Sequence, residues 1–510
     1  MTLLGRIRDH LPLGRPRRGD VLLINPRYER NPCSSAGRHV LTPSLALPLV
    51  AAATPPDYTV RLHDENLGRG GAPRWPVPEV VGITVHTAFA ARAYELARRS
   101  RRAGSRVVLG GLHVSALPDE ARCHADAVVV GDGVSAWPRV LAGLRNGSLR
   151  DGAVVRGSFH EPHYGAQPWA RRDVLPAGAF LTNASVIATR GCTGRCGYCY
   201  LATRGVQIPY QQRPVEDVLA EIDAIGEPYV VFTDNNLMAD PAYGLALCRG
   251  LQRRRLIWSA AVTVDVARSP ELVEAMGRAG CQGVFVGLET LSDEALRAQR
   301  KRTLAPSAYR QAVRLLHDNG VQVNGSFVFG FDEDGPDVFD RTLEFIVSER
   351  LECATFHILT PYPGTPLFAQ LKAQGRLLSR DWRLYDTAHV VFRPARMSPQ
   401  LLLEGYRRSY RQLYRWPTIL ARGPVAEGRA ETVARTAAYL AMTVLYKKQD
   451  WIWRALVPLR LTHAAWRPLV ALQRRLARGR AQAAPRCDTL EALARRSTPG
   501  APLAPLARAA

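Results

Sequence analysis

The stretch that most constrains this chain is Arg190-Gly191-Cys192-Thr193-Gly194-Arg195-Cys196-Gly197-Tyr198-Cys199-Tyr200. Three of the nine cysteines sit here in one glycine-rich loop, which leaves the apolar run Ala184 to Ala188 and so reads as the exit of a strand. Thiols packed this closely point to a metal or a redox role. A structural zinc takes four ligands, usually in two close pairs, yet the next cysteine is Cys248 and no histidine lies between it and Cys199. The odd cysteine count and the lack of a secretory signal argue against a disulfide framework. Three thiolates without a fourth suit a four-iron cluster in which one iron keeps an open coordination position.

The C-x3-C-x2-C spacing of Cys192, Cys196 and Cys199, with aromatic Tyr198 just before the last cysteine, resembles the signature loop of the radical S-adenosylmethionine (radical SAM) enzymes. The resemblance implies a [4Fe-4S] cluster on these three cysteines, with the amino and carboxylate groups of SAM on the fourth iron and Tyr198 beside the cofactor. It further implies that electron transfer cleaves SAM to a 5'-deoxyadenosyl radical, which abstracts hydrogen from unactivated carbon.

At 510 residues and 46% hydrophobic content the chain is long enough for two or three domains with real cores. Its net charge of +23 comes mainly from arginine. Such a charge suits nucleic acid or an anionic membrane, but no basic-aromatic RNA-binding module accompanies it, so no nucleic-acid partner is expected. An iron-sulfur RNA-modifying protein is the remote alternative. No apolar run reaches the ~20 residues of a spanning helix. The expected location is cytoplasmic, with peripheral contact at the inner membrane face as an option. Residues 1–18 read as a basic leader.

From Asp20 the pattern changes. Apolar runs at Val21 to Ile24, Tyr58 to Leu62, Val80 to Val85, Val107 to Leu109 and Ala127 to Val130 alternate with helical stretches such as Ala88 to Arg102. That predicts a doubly wound, Rossmann-like α/β domain over 19–155, whose ligands bind at the carboxyl ends of its strands. Asn25, Asp64, Asn66, Thr84, Gly110, Gly111, His113 and Gly131 stand there. The Gly-Gly-Leu-His-Val-Ser-Ala-Leu-Pro-Asp-Glu stretch from Gly110 resembles the cobalamin-binding domain that precedes the radical SAM core in one large subfamily, which implies cobalamin as a cofactor on these residues. Where histidine-ligating cobalamin domains carry D-x-H-x-x-G, aligning Asp64 puts Asn66 at the histidine position and Arg69 at the glycine. His86 and His113 both sit at strand ends, where a hydrogen-bonding role and an approach to the corrin are the two readings.

Residues 156–182 carry scattered Pro, Gly and Arg and read as a linker. Over 183–375, strands near Tyr229, Trp258, Gly283, Gly325 and Thr355 alternate with helices such as Pro214 to Ile225 and Val338 to Arg350, six units that fit a partial (β/α)6 TIM-like barrel. The resemblance places SAM contacts at the strand ends: Asp234, Asn235, Asn236, Thr263, Asp265, Glu289, Gly330 and Pro361. Glu289 is either such a contact or half of a salt bridge. His357 and Tyr362 either face substrate or pack the barrel. Cys248, Cys281 and Cys353 read as buried hydrophobes.

Residues 376–480 read as a helical accessory domain, with helices at Pro399 to Tyr414 and Val425 to Lys448 expected to cover the barrel mouth. Tyr446 to Arg480 mixes Trp451, Trp453 and Trp466 with lysine and arginine, which suits either a membrane interface or a helix docked on the core. Residues 481–510 read as a disordered tail. The functional expectation is a cobalamin-dependent radical SAM C-methyltransferase acting on an inert carbon of a lipid, pigment or secondary metabolite. The alternative is a radical SAM oxidoreductase, cyclase or carbon-carbon bond-forming enzyme. Expected partners are a small-molecule substrate, a hydrophobic one being an option, and an external reductant such as flavodoxin or ferredoxin.

Overall fold

The computed structural model describes residues 17–27, 42–67, 76–160, 163–203, 205–423, 436, 439–440 and 460–482. The basic leader before residue 17, Cys33, Arg69, most of the Val425 to Lys448 helix, Trp451, Trp453, Cys487 and the C-terminal tail lie outside the described residues.

The first apolar runs pair as a six-stranded sheet: β1 (Arg17–Asn25), β2 (Thr59–Asp64), β3 (Pro78–Thr84), β4 (Arg106–Gly110), β5 (Ala127–Gly131) and β6 (Ala153–Gly157). All pairings are parallel, in the order β2-β1-β3-β4-β5-β6. Strands buried on both faces need apolar side chains on both, which is why Val21, Leu22, Leu23 and Ile24 run unbroken. Chain direction across the sheet reverses between β1 and β3, and the crevice at their carboxyl ends is the switch point where ligands of such sheets bind. β6 corrects the sequence reading, which ended the domain at residue 155, inside this strand, and named no strand there. It is a half-exposed edge strand containing Arg156, so it lacks the apolar run that marks the others.

The second sheet is also wholly parallel. It comprises β7 (Ser185–Val186), β10 (Tyr229–Phe232), β11 (Ile257–Val262), β12 (Cys281–Glu289), β13 (Gln322–Phe329) and β14 (Cys353–Ile358), in the order β14-β13-β12-β11-β10-β7. The short antiparallel pair β8 (Thr189–Arg190) and β9 (Gln211–Gln212) brackets the cysteine loop. Helices follow each of the long strands, and Phe327 and Phe329 point outward to meet Phe345 and Phe339 of the helix Val338–Ser348. By the alternation of a strand, Ser326 and Val328 therefore face the barrel interior. Cys248 and Cys281 are fully buried in this core, as expected of small hydrophobes.

Two expectations for the C-terminal region change. The helix Pro399–Leu413 does not cover the barrel mouth; it packs against the outer side of β14. There the Tyr410 hydroxyl accepts from the Phe356 N–H at 3.0 Å and donates to the Phe356 carbonyl at 3.1 Å, closing part of a sheet edge that would otherwise present unpaired backbone. The helix Thr462–Gln482 docks under the barrel, where Trp466 and Val470 are buried with Ile257 and Leu181. Trp466 thus belongs to the core and not to an aromatic belt at a membrane. No described helix is long and apolar enough to cross a membrane.

Phenylalanine at position 410 removes both partners of the Phe356 peptide while keeping the ring. Tyr410→Phe is expected to destabilise the barrel by about 1–3 kcal/mol, read as a lower urea midpoint at unchanged slope.

Candidate active site

The cysteine loop is built by backbone constraints at both ends. Gly191 has φ +77°, and a Cβ there would lie 2.3 Å from the Pro209 carbonyl oxygen, so only glycine lets the chain turn beside β9. Within the loop the Cys199 N–H donates to the Cys196 carbonyl at 3.0 Å, and the Gly194 N–H approaches Cys192 Sγ at 3.3 Å. Gly197 is fastened on both sides: its N–H donates to the Gln299 carbonyl at 2.8 Å, and its carbonyl accepts from the Leu367 N–H at 3.1 Å. Gln299 follows the helix Asp293–Ala298 and Leu367 lies in the helix Pro366–Ala373, so two barrel connections grip the peptide between Cys196 and Cys199.

The thiols of Cys192 and Cys196 both lie beside Gly194, within 3.5 and 3.8 Å of where its Cβ would be. All three cysteines are free and partly exposed. Burial pushes the Cys196 thiol up and that of Cys199 to about 12. Among the described residues no group of His, Cys, Asp or Glu converges on a single metal ion. In a cluster each thiolate binds a different iron, so three cysteine sulfurs along one loop need not meet at one point. The donor set therefore fits a [4Fe-4S] cluster better than a lone zinc.

Around the loop the structure gathers several of the expected SAM residues. Tyr198 packs edge-on against Phe331, with ring centroids 5.8 Å apart. Asn235 donates to the Tyr200 hydroxyl at 2.7 Å, tying the end of β10 to the loop. Asn236 holds the end of β11, accepting from the Thr263 N–H at 3.1 Å. Asp234 is turned away from the mouth: its buried carboxylate accepts from the N–H groups of Ala188 and Thr189 and from the Thr189 hydroxyl. Burial pushes that carboxyl up to about 7 against the pull of these bonds. Its place is to hold β8, the segment leading into the cysteines.

Asp265 accepts from the Leu304 N–H at 2.9 Å and pairs with Arg268. Gly330, with φ +106°, donates its N–H to Asp334 at 2.8 Å, and Phe331 donates to the same carboxylate at 3.0 Å. Pro361 is buried just beyond β14. Glu289 closes β12 with φ +66°, and its carboxylate meets Lys301 Nζ at 2.8 Å. Lys301 also donates to the Gly287 carbonyl at 2.7 Å. Lys301 was not legible in the sequence as a site residue; its spacing from Glu289 matches no short-range signal. The Glu289 carboxylate and the Lys301 ammonium both act electrostatically on Cys196, which puts this pair at the cluster loop.

In the first domain Asn25, Asp64 and Asn66 come together at the switch point. Asp64 accepts from Asn25 at 2.9 Å and from the Asn66 side chain at 2.8 Å, while Asn66 also donates to the Pro26 carbonyl at 3.1 Å. The Asn66 amide is thereby committed to bracing two strand ends. Thr84 and Gly111 are adjacent, since a Cβ on Gly111 would lie 3.3 Å from Thr84 Oγ1 and 2.9 Å from the Val85 carbonyl. Gly110 accepts from the Val85 N–H, and Gly131 donates to Ser115 at 3.1 Å. His113 stands apart from these. Its ring is fully buried, with one nitrogen 3.3 Å from Thr87 Oγ1 and the other 3.2 Å from Glu120. His86, by contrast, is accessible at the end of β3. An Asn66 amide committed to bracing, with glycines at the ends of β4 and β5, fits a cobalamin held without a protein histidine from the Asn66 position.

The two domains face each other across this region. The loop after the cysteines abuts the helix Leu112–Ala116: a Cβ on Gly205 would lie 3.0 Å from the Ser115 carbonyl, and one on Gly364 would lie 2.7 Å from Thr203 and 3.4 Å from Ala116. Arg190, just before the cysteine loop, pairs with Asp132 at 3.4 Å and stacks on Tyr164 at 4.4 Å. Trp382 reaches back from beyond the barrel to donate to Glu120 at 3.1 Å and packs edge-on against His113. These joints turn the carboxyl ends of both sheets toward one space.

A three-cysteine loop at the mouth of a six-stranded parallel barrel, joined to a second α/β domain, defines an iron-sulfur enzyme. Residues 186–346 match the model of the radical SAM superfamily. It is 29% identical over 416 residues to bacteriochlorophyllide d C-12(1)-methyltransferase of Chlorobaculum tepidum, covering 79% of this chain and 88% of that one. To the hopanoid C-2 methylase of Rhodopseudomonas palustris it is 26% identical, covering 71% and 72%. Among solved structures, the radical SAM methyltransferase TsrM from Kitasatospora setae with cobalamin and a [4Fe-4S] cluster bound superposes with a TM-score of 0.60 at 17% identity, covering 91% of this chain and 99% of that one. The cobalamin-dependent SAM radical enzyme OxsB with aqua-cobalamin and SAM bound gives a TM-score of 0.60 at 14% identity, covering 92% and 80%. These two share the fold.

The Glu289–Lys301 pair is nearly buried, with side-chain exposures of 14% and 7%. Lys301→Met leaves a carboxylate without its cation and is expected to cost about 3–5 kcal/mol in urea unfolding, whereas the double variant Lys301→Met/Glu289→Gln recovers most of that loss.

Proposed function

We propose that this protein is a cobalamin-dependent radical SAM C-methyltransferase whose substrate offers an unactivated carbon on a pigment, lipid or secondary-metabolite skeleton. The observation that carries the reading is the apposition of the clamped cysteine loop to the switch point of the first domain. A methyltransferase needs its hydrogen-abstracting group and its methyl carrier within reach of one substrate carbon, and the contacts of Arg190, Gly205 and Gly364 with the first domain support that arrangement. The relatives matched over most of their length include methylases of bacteriochlorophyllide and hopanoid, which supports a large, largely apolar substrate.

When bound, the cluster and SAM would supply a carbon-centred radical, and cobalamin would supply the methyl group. Cys192, Cys196 and Cys199 would hold the cluster, and the Gln299 and Leu367 contacts to Gly197 keep the loop in place. Glu289 and Lys301 present a paired carboxylate and ammonium beside it, suited to orient the charged methionyl end of SAM. Gly330 and Phe331, pinned by Asp334, offer backbone and an aromatic face next to Tyr198 for the adenine. In the first domain the Asn25–Asp64–Asn66 cluster and the glycines of β4 and β5 would hold the corrin, with His86 as the accessible imidazole at the switch point. A cytoplasmic location and an external one-electron donor complete the reading.

Anaerobic reconstitution with iron, sulfide and hydroxocobalamin tests it. The expected outcome is cluster and corrin absorbance together with 5'-deoxyadenosine from SAM under reductant. Cys196→Ala should lose cluster absorbance and SAM cleavage while keeping the corrin bands. Cleavage with no corrin bound would overturn the methyl-transfer reading.

A further inference from the structure

The helix Asp293–Ala298 ends in a turn rich in cations that the proposed chemistry does not use. Lys301 turns inward to Glu289, but Arg297, Arg300 and Arg302 remain exposed and, among the described residues, pair with no carboxylate. Arg300 adopts φ +54° at the end of the helix, where the Lys301 N–H donates to the Leu296 carbonyl at 2.9 Å. A glycine would sit at this left-handed position without strain, so the turn displays an arginine at a conformational cost. With Arg268 these residues line an open groove of about 790 Å³ that carries five cationic side chains, two carboxylates and no aromatic ring.

The position of the groove gives it meaning. Gln299, inside the same turn, accepts the Gly197 N–H at 2.8 Å, and Gly197 lies between Cys196 and Cys199. The basic turn is therefore one hydrogen bond from the peptide that carries two of the three thiols. Exposed arginines spread along an open groove suit a broad acidic protein surface. A groove with no aromatic side chain lacks the stacking surface by which single-stranded nucleic acid is held.

We propose that Arg297, Arg300 and Arg302, with Arg268, form the docking surface for an acidic one-electron carrier protein that reduces the group held by the cysteine loop. The carrier gives up one electron for each SAM cleaved and is itself oxidised by one equivalent. The inference rests on the radical SAM reading of the cysteine loop and adds to it the place where the electron enters.

The test compares two reductants on the reconstituted holoenzyme: an enzymatically reduced acidic flavodoxin, and dithionite, which needs no docking surface. The triple variant Arg297→Glu/Arg300→Glu/Arg302→Glu should raise the dissociation constant for flavodoxin at least about tenfold and lower flavodoxin-driven SAM cleavage to match. Dithionite-driven cleavage should remain within about twofold of wild type, and added salt should weaken flavodoxin binding only where the arginines are present. If the triple variant loses cluster absorbance, the single changes Arg297→Glu and Arg302→Glu, both at exposed positions, carry the same comparison. Unchanged flavodoxin affinity in the charge-reversed protein overturns the proposal, as does wild-type protein that binds single-stranded RNA through these arginines and not flavodoxin. Failure of dithionite to drive cleavage in wild type would instead defeat the radical SAM reading itself.

Discussion

Both backbone groups of Gly197 are taken, its N–H by Gln299 and its carbonyl by Leu367, and most of the site depends on that clamp. Three thiols on a short loop would otherwise sample many arrangements, and ordering each backbone residue costs about 1–2 kcal/mol. The clamp removes that freedom with two hydrogen bonds from connections that the barrel already fixes. Asp234 performs the same task one step upstream, holding Ala188 and Thr189, and Asn235 does so downstream through Tyr200. The polar residues at the barrel strand ends thus divide into those that build the loop and those left to meet a ligand. Glu289 and Lys301, proposed to be of the second kind, are nearly buried and already paired, so that neither charge is left without a partner.

Polar contacts at defined points join the first domain to this frame, beside the apolar packing of Leu62 and Leu67 on Leu175, Phe180 and Leu181. Arg190 leaves the barrel directly before the cysteines and ends on Asp132 at the close of β5, while Trp382 closes the far side on Glu120. His113, which in sequence looked like a corrin contact, is drawn into this second joint, buried between Thr87, Glu120 and Trp382. The joints hold the ends of β4 and β5 beside the cysteine loop, the arrangement on which the two-cofactor proposal rests.

The larger architecture was legible because parallel strands buried on both faces must be continuous apolar runs, and eleven or so such runs at helical spacing admit few folds. The cysteines were legible because their chemistry is local. The rest was hidden where the determinant is distant in sequence or short. β6 is a half-exposed edge strand, so it carries no apolar run. The helix Asp293–Ala298 is too short to show a period, yet its end supplies Gln299, Lys301 and the exposed arginines. The contact of Trp382 with Glu120 joins residues 262 positions apart, which no motif reports. The docked place of Trp466 beneath the barrel likewise depends on Ile257 and Leu181, not on the basic and aromatic pattern around it.

The central claim is that the cysteine loop and the first domain's switch point hold two cofactors over one space. Electron paramagnetic resonance on protein reconstituted with both, reduced to a paramagnetic cluster and Co(II) cobalamin, measures this directly. Dipolar broadening between the two spins, absent from protein carrying either cofactor alone, is the predicted result. Two full-occupancy signals with no mutual broadening would place the cofactors apart and contradict the account.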